Sequence, residues 1–233
     1  MDFDFILTHT PAFLAAAWLT VKLGFLGAIF ALLIGFFCVL MRFFKLKFFT
    51  ALCQIYIEFS RNTPLLIQLF FLYYALPKLG VRLEHWPLLS TLCLSVDEIL
   101  RPAFACAVVG LSFLGGSYMA EALRAGFEAV RRQQFEAGLA LGFGAWGILR
   151  FIVLPQALRV ALPALSANVI FFIKETSVVS IIALPDLVTL MKGLNSLTYK
   201  TDELLLMLFL GYLLIILPLS LGLWFFEKRL THA

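Results

Sequence analysis

The chain has 233 residues, 62% of them hydrophobic and 14% charged, with 25 phenylalanines and a mean hydropathy of +0.99. Soluble domains carry about 25% charged residues, so this composition excludes an ordinary water-soluble domain and makes the bilayer the natural solvent. The formal net charge of +4 is too small and too scattered for a nucleic-acid surface, which needs basic residues gathered on one face.

One membrane domain fills the whole length, residues 1–233, and leaves no room for a soluble one. Cys38, Cys53, Cys93 and Cys106 form no C-x-x-C pair. They read as small buried hydrophobes, not as a disulfide framework or a metal site. The start, MDFDFILTHTP, lacks a basic n-region, so a cleavable signal peptide is not expected and the first apolar run should remain as a span.

Five spans are expected, at about 13–41, 48–77, 102–120, 157–184 and 204–226. The first contains Lys22, read as snorkelling to an interface, but Leu23–Met41 gives 19 uncharged residues, enough to cross. The second holds YIEFSRNTPLLIQLFFLYY, with Glu58, Arg61, Asn62 and Pro64 at or near membrane depth. A polar, turn-rich stretch follows, Pro77 to Arg101. The third, Pro102–Ala120, is again 19 uncharged residues. Then comes a long loop, about 121–159, with Arg124, Arg131, Arg132, Arg150 and Arg159. The fourth span is uncharged only over Val160–Ile173, 14 residues, before Lys174, Glu175, Thr176 and Ser177 interrupt it. The fifth, Leu204–Phe226, has 23 uncharged residues. His9, His85 and His232 fall outside these spans and are expected to be solvated.

Lys and Arg fix the expected orientation. With five spans the termini lie on opposite sides. Ten basic residues collect on the side of the 121–159 loop and the C-terminus, six on the other. The N-terminus is therefore expected outside, with the long loop and the C-terminus in the cytoplasm.

That loop contains EAGLALGFGAWGILRFIVLP. Glu136, Ala137 and Gly138 are followed after three residues by Gly142, and nine residues later by Ile152, Val153, Leu154 and Pro155. This spacing resembles the EAA loop of bacterial ABC importer permeases. SYMAEALRAGF, LPQALRVALPAL, IKETSVV and the second-span motif are similar to the polar amino acid branch, and the resemblance runs from about Trp18 to Arg229. It departs from the family pattern at Gly138, where Ala is usual, and at Gln133, where Gly is common.

The resemblance implies an all-α polytopic membrane protein with the type I ABC importer permease fold. It implies a coupling loop, at Glu136, Ala137, Gly138 and Gly142 with Arg131 and Arg132 beside them, that docks on a separate ATP-binding subunit. Small residues permit close backbone approach there. Glu136 favours a helix N-terminus or pairs with a partner's Arg, and Pro155 sets the exit angle by limiting helix continuation. No G-x-x-x-x-G-K-[ST] occurs, so ATP and magnesium are expected on the partner and no cofactor on this chain. The implied partners are a pair of ATP-binding subunits, a second permease, identical or similar, a periplasmic or lipid-anchored amino acid binding protein, and lipid. The implied location is the bacterial inner membrane.

Ionisable groups at membrane depth usually face a cavity or a partner. Glu58 and Arg61, three apart on one helical face, with Asn62, Thr63 and Gln68, either line a polar path or end a long helix in an ion pair at the cytoplasmic lip. Lys174, Glu175, Thr176 and Ser177 either line a cavity at an interrupted helix or, for Lys174 and Glu175, form an outer-surface pair. The resemblance places this region near the pore and outer gate. Gly24, Gly27, Gly35, Gly110, Gly115 and Gly116 read as helix contacts, with a hinge at Gly115 and Gly116 as the other reading.

Two other classes compete. A secondary transporter or channel for small polar solutes needs intramembrane carboxylates for coupling ions, and Glu58 is the one clear acid at depth. An intramembrane hydrolase needs a base near Ser112, and no His falls in a span. No catalytic or metal-binding role is therefore expected of this chain.

Overall fold

The computed structural model describes residues 2–94 and 96–231; His232 lies outside them. Every regular element in the described residues is helical. Among the described residues, four helical stretches are long and apolar enough to cross a membrane: Phe3–Phe43, Glu98–Ala129, Ala145–Ile182 and Thr201–Leu230. A shorter apolar one runs Leu65–Leu79.

Helix α1 (Phe3–Phe43) starts ten residues before the expected span. Asp2 supplies the reason: its carboxylate accepts from the Phe5 N–H at 3.1 Å and satisfies a first-turn donor. Pro11 does not break the helix, as is common where neighbouring helices surround it. His9 is thereby drawn into α1, half-buried, with Nδ1 2.9 Å from the Phe5 carbonyl. Lys200 pairs with Asp2, and the Asp2 N–H donates to Glu203 at 2.9 Å, which ties the start of α1 to the last helix.

The second expected span is not one helix. Helix α2 (Lys47–Asn62) ends before Pro64, and α3 (Leu65–Phe70) restarts after it, continuing through a π-turn, Phe71–Ala75, and a 3-10 turn, Leu76–Leu79. Proline disfavours helical backbone in the residue before it, and Thr63 is accordingly extended, at φ −112° and ψ 123°. The stretch to Arg101 contains a short helix, α4 (Pro87–Cys93).

Helix α5 (Arg101–Ala129) is the buried centre, packed against α1, α2 and, on its other side, α8 (Leu154–Glu175). Lipid removes most of the hydrophobic drive for helix association, so close packing of small residues takes its place. The buried face of α5 fits that rule with Ala103, Ala107, Gly110, Ser112, Gly115 and Ala120. A β-carbon on Gly35 of α1 would lie 2.7 Å from the Ala120 backbone nitrogen, so the two backbones nearly touch. Gly115 and Gly116 are packing positions in an unbroken helix, with Ala31 and Tyr56 against them.

After α5 come two short helices, α6 (Arg132–Ala140) and α7 (Ala145–Ile148). Helix α7 runs on through a π-turn, Leu149–Val153, into α8. The expected fourth span therefore begins twelve residues early, and Pro155 does not end a helix. Proline lacks the N–H that would close a turn. The π-turn absorbs this: Leu154 donates back to the Leu149 carbonyl, and the Gln156 side chain covers the Ile152 carbonyl at 2.7 Å. Beyond α8 a 3-10 segment, Thr176–Ile182, leads to α9 (Leu187–Thr198) and α10 (Thr201–Thr231).

The Lys22 ammonium lies over the fully buried Phe104 ring, 5.1 Å from the centroid, between α1 and α5.

Candidate functional site

The stretch Glu136–Pro155 forms a closed knob. Helix α6 ends in a Schellman arrangement: Gly142 N–H donates to the Leu139 carbonyl at 2.9 Å and Phe143 N–H to the Gly138 carbonyl at 3.0 Å. This closure needs a left-handed residue, and Gly142 has φ +80° with open space around it. The glycine is there for its backbone, not for room.

Gly138 has the opposite reason. It is buried, and a β-carbon on it would lie 2.7 Å from Ile152 Cδ1 and 3.0 Å from Ile148 Cγ1. The absence of a methyl group here lets α6 lie directly on the α7–π-turn segment.

Arg131, Arg132, Glu136 and Ala137 are exposed. Glu136 is in the fifth position of α6 and takes Arg132 at 3.0 Å, one turn back on its own helix. It is not at a helix N-terminus. The outer face of the knob also shows Leu139, Leu141 and Trp146, which are 52%, 76% and 60% exposed. The spacing of the motif did not select these three, although apolar residues inside a charged loop are a readable signal of a covered surface.

The knob rests on a seat that sequence reasoning missed. Ile148, Val153 and Ala157 are buried, with Phe43, Phe127 and Phe135 packed against them. The seat joins the ends of α1 and α5 to the start of α8. Just behind it, Gly126 of α5 meets Ala157 of α8.

A chain of ion pairs runs along the same end. Arg42 of α1 meets Glu128 at 3.1 Å, and Glu128 meets Arg124 at 2.7 Å. Arg124 meets Glu121 at 2.7 Å, and Glu121 meets Arg61 of α2 at 4.0 Å. It links the last turns of α1 and α2 to the last two turns or so of α5, next to the knob's root. Arg61 therefore pairs across to α5 and makes no ion pair with Glu58 within 4.0 Å among the described residues. Its guanidinium also lies 5.3 Å from the Tyr118 ring centroid.

The polar residues after Arg61 are occupied by the break itself. Asn62 donates to the Glu58 carbonyl at 2.8 Å and Thr63 to the Phe59 carbonyl at 2.8 Å. Gln68 is buried; its Nε2 donates to the Ser60 carbonyl at 3.1 Å and to the Thr63 carbonyl at 3.0 Å. These donors serve carbonyls left at the end of α2.

At the far end, Lys174 is exposed, Glu175 and Ser177 are half-buried and Thr176 is buried, donating to the Ile173 carbonyl at 2.7 Å. Lys174 and Glu175 form no ion pair within 4.0 Å among the described residues. Asp186, between the 3-10 segment and α9, is fully buried. It caps α9 by accepting from the Thr189 N–H at 2.9 Å, while Oδ2 has no hydrogen-bond partner among the described residues. Burial raises its pKa, partly offset by Thr189, Val188 and Lys192.

Residues 27–232 match the family model described as the inner membrane component of binding-protein-dependent transport systems. The chain is 38% identical over 176 residues to a probable amino-acid ABC transporter permease of Vibrio harveyi, covering 76% of this chain and 72% of that one. It is 31% identical to the nopaline transport system permease of Agrobacterium fabrum, over 94% of this chain and 88% of that one. Among solved structures it superimposes on an amino acid ABC transporter crystallised with histidines, at TM-score 0.82 and 32% identity, covering 98% and 99% of the two chains. The methionine transporter MetNI shares the fold at TM-score 0.74 and 14% identity, over 96% and 98%.

Proposed function

The chain belongs to the family of inner membrane components of binding-protein-dependent transport systems, and on that premise we propose that it moves polar amino acids as the permease of an ATP-driven importer. The single observation that carries the mechanism is the knob. Helix α6 is rigidly closed at Gly142, presents Arg131, Arg132, Glu136, Ala137 and Leu141 outward, and rests on the joined ends of three long helices.

Two such permeases, identical or similar, enclose one pathway. Two ATP-binding subunits hold ATP and magnesium and seat the knobs in their grooves. When ATP closes the ATPase pair, the knobs are drawn together. Each knob moves its seat, and α1, α5 and α8 follow as one packed group. The pathway then turns from inward- to outward-facing, where a periplasmic or lipid-anchored binding protein delivers its amino acid. In this arrangement the knob lies in the cytoplasm, the C-terminus inside and the N-terminus outside, as the basic residues favour.

Glu58, Arg61, Asn62, Thr63 and Gln68 act at the break in the second span, and Lys174, Glu175, Thr176 and Ser177 at the far end of the fourth. Asn62, Thr63 and Gln68 hold the break's shape; Glu58 and Arg61 keep charge exposed beside it.

The test is reconstitution. The chain is co-purified with candidate ATP-binding subunits and placed in liposomes with the cognate binding protein, and ATP hydrolysis is measured with each amino acid. One or a few amino acids should accelerate hydrolysis and accumulate. Failure of every ATPase to co-purify, or hydrolysis indifferent to all amino acids, contradicts the reading.

A further inference from the structure

A cavity of about 240 Å³ lies between α2 and the α6-side ends of α1 and α5. That is below the roughly 300–1,000 Å³ of drug-sized pockets, and fits one very small molecule. Its back wall is apolar, formed by Cys38, Val39, Ile57 and Ala120, with Cys53 half-buried in the side.

Its charges do not cancel locally. The ion-pair chain absorbs Arg42, Arg124, Glu121 and Glu128 at 2.7–3.1 Å. What remains on the cavity wall is one cation and one anion. Arg61 has five donors, and its one acidic contact among the described residues, Glu121, stands at 4.0 Å. Glu58 has no cationic partner within 4.0 Å among the described residues, and its carboxylate is held by Asn62 of its own helix at 3.3 Å. The two are three residues apart, so their β-carbons lie roughly 5–6 Å from each other on one face. A guanidinium held only by a long 4.0 Å contact to Glu121 and a carboxylate with no cation within 4.0 Å among the described residues, so placed, match a molecule carrying an anion and an ammonium one carbon apart. An apolar wall behind them takes a side chain.

We propose that this cavity is a second binding site, for a free zwitterionic amino acid taken from the side of the knob. The carboxylate goes to Arg61, the ammonium to Glu58 and the side chain to the Cys38–Ile57 wall. The inference rests on the amino acid reading above. Occupancy draws Arg61 from Glu121 and so reaches α5 about two turns before the root of the knob, which is where an accumulated product would restrain the transporter.

Cys53 is the reporter. The complete transporter, with Cys93→Ser and Cys106→Ser and the buried wall residue Cys38 left in place, is held in nanodiscs. The rate of N-ethylmaleimide labelling at Cys53 is then read with each of the common L-amino acids, and with the decarboxylated amine and deaminated acid of any that protects. The amino acid should slow labelling about tenfold and each single-charge analogue much less, the difference one charge-assisted contact makes. In Glu58→Gln the amino acid and its deaminated acid should protect equally. Equal labelling with every amino acid, equal protection by the single-charge analogues in the native sequence, or undiminished discrimination in Glu58→Gln overturns the site. Transport by the same complex separates the two readings. Amino acid uptake without protection of Cys53 overturns the second site alone, whereas absence of any amino acid uptake overturns the reading beneath it.

Discussion

A β-carbon placed on Gly126 of α5 would lie 2.3 Å from the carbonyl oxygen of Ala157 in α8. The two helices touch through backbone at this point, directly behind the seat of the knob. Backbone cannot yield as a side-chain end can, so Gly126→Ala should push α5 and α8 apart. The expected cost is about 1–3 kcal/mol, read as a lower unfolding temperature of the detergent-purified chain. An unchanged midpoint would show that the helices separate freely here.

The Schellman closure gives a second expectation. Gly142→Ala forces a side chain into the left-handed region at about 1–2 kcal/mol, while Gly144→Ala, in open space at φ −71°, should be nearly silent. Membrane insertion should be normal in both, and only Gly142→Ala should lose retention of the ATP-binding subunit. Equal retention would mean that the bend is dispensable.

Gly138→Ala should act differently. The added methyl meets Ile152 Cδ1, the far end of a flexible side chain, so the loss should be smaller and Ile152→Val should restore it. Failure of that rescue, with transport as the readout, would place the effect outside the α6 contact.

Gln68→Leu removes the amide that holds the Ser60 and Thr63 carbonyls at the break. A loss of about 1–3 kcal/mol in stability is expected, with faster hydrogen exchange confined to the end of α2. Exchange unchanged in α2 would assign the break to Pro64 alone.

Asp186 sets a pH dependence. Its folded pKa is raised by burial, only partly offset by Thr189, Val188 and Lys192, so the folded chain holds this proton more tightly than the unfolded one. Stability from this group is therefore full at pH values below the ordinary aspartate pKa. It falls as pH rises through the window up to the raised value. Asp186→Asn keeps an oxygen for the α9 cap and should flatten that slope and stabilise the chain at neutral pH. A slope that persists in Asp186→Asn would assign it to another group.

Apolar length and the EAA spacing made the helical spans and the knob legible in the sequence, because both depend on residues close in the chain. Gly142 was legible for its spacing, but not for its left-handed backbone. What stayed hidden depends on distant partners. The Gly126–Ala157 contact, the Phe43–Phe127–Phe135 seat and the Arg42-to-Arg61 ion pairs join residues far apart in sequence. Pro155 misled in a specific way: proline usually marks a helix end, and here a π-turn carries the helix through it. Asn62, Thr63 and Gln68 were conspicuous as polar groups in an apolar run, yet their donors close the broken end of α2.

The central claim is that α6 is the surface on which the ATP-binding subunit docks, and cross-linking tests it most directly. Ala137→Cys places a thiol on the exposed face of α6, and Leu88→Cys places one at the opposite end of the molecule, on α4. Both are made in the co-purified transporter and treated with a short bifunctional thiol reagent, with and without ATP. The account predicts an ATP-sensitive cross-link from Ala137→Cys to the ATP-binding subunit and none from Leu88→Cys. A retained ATP-binding subunit that never cross-links to Ala137→Cys, or that cross-links through Leu88→Cys, would contradict it.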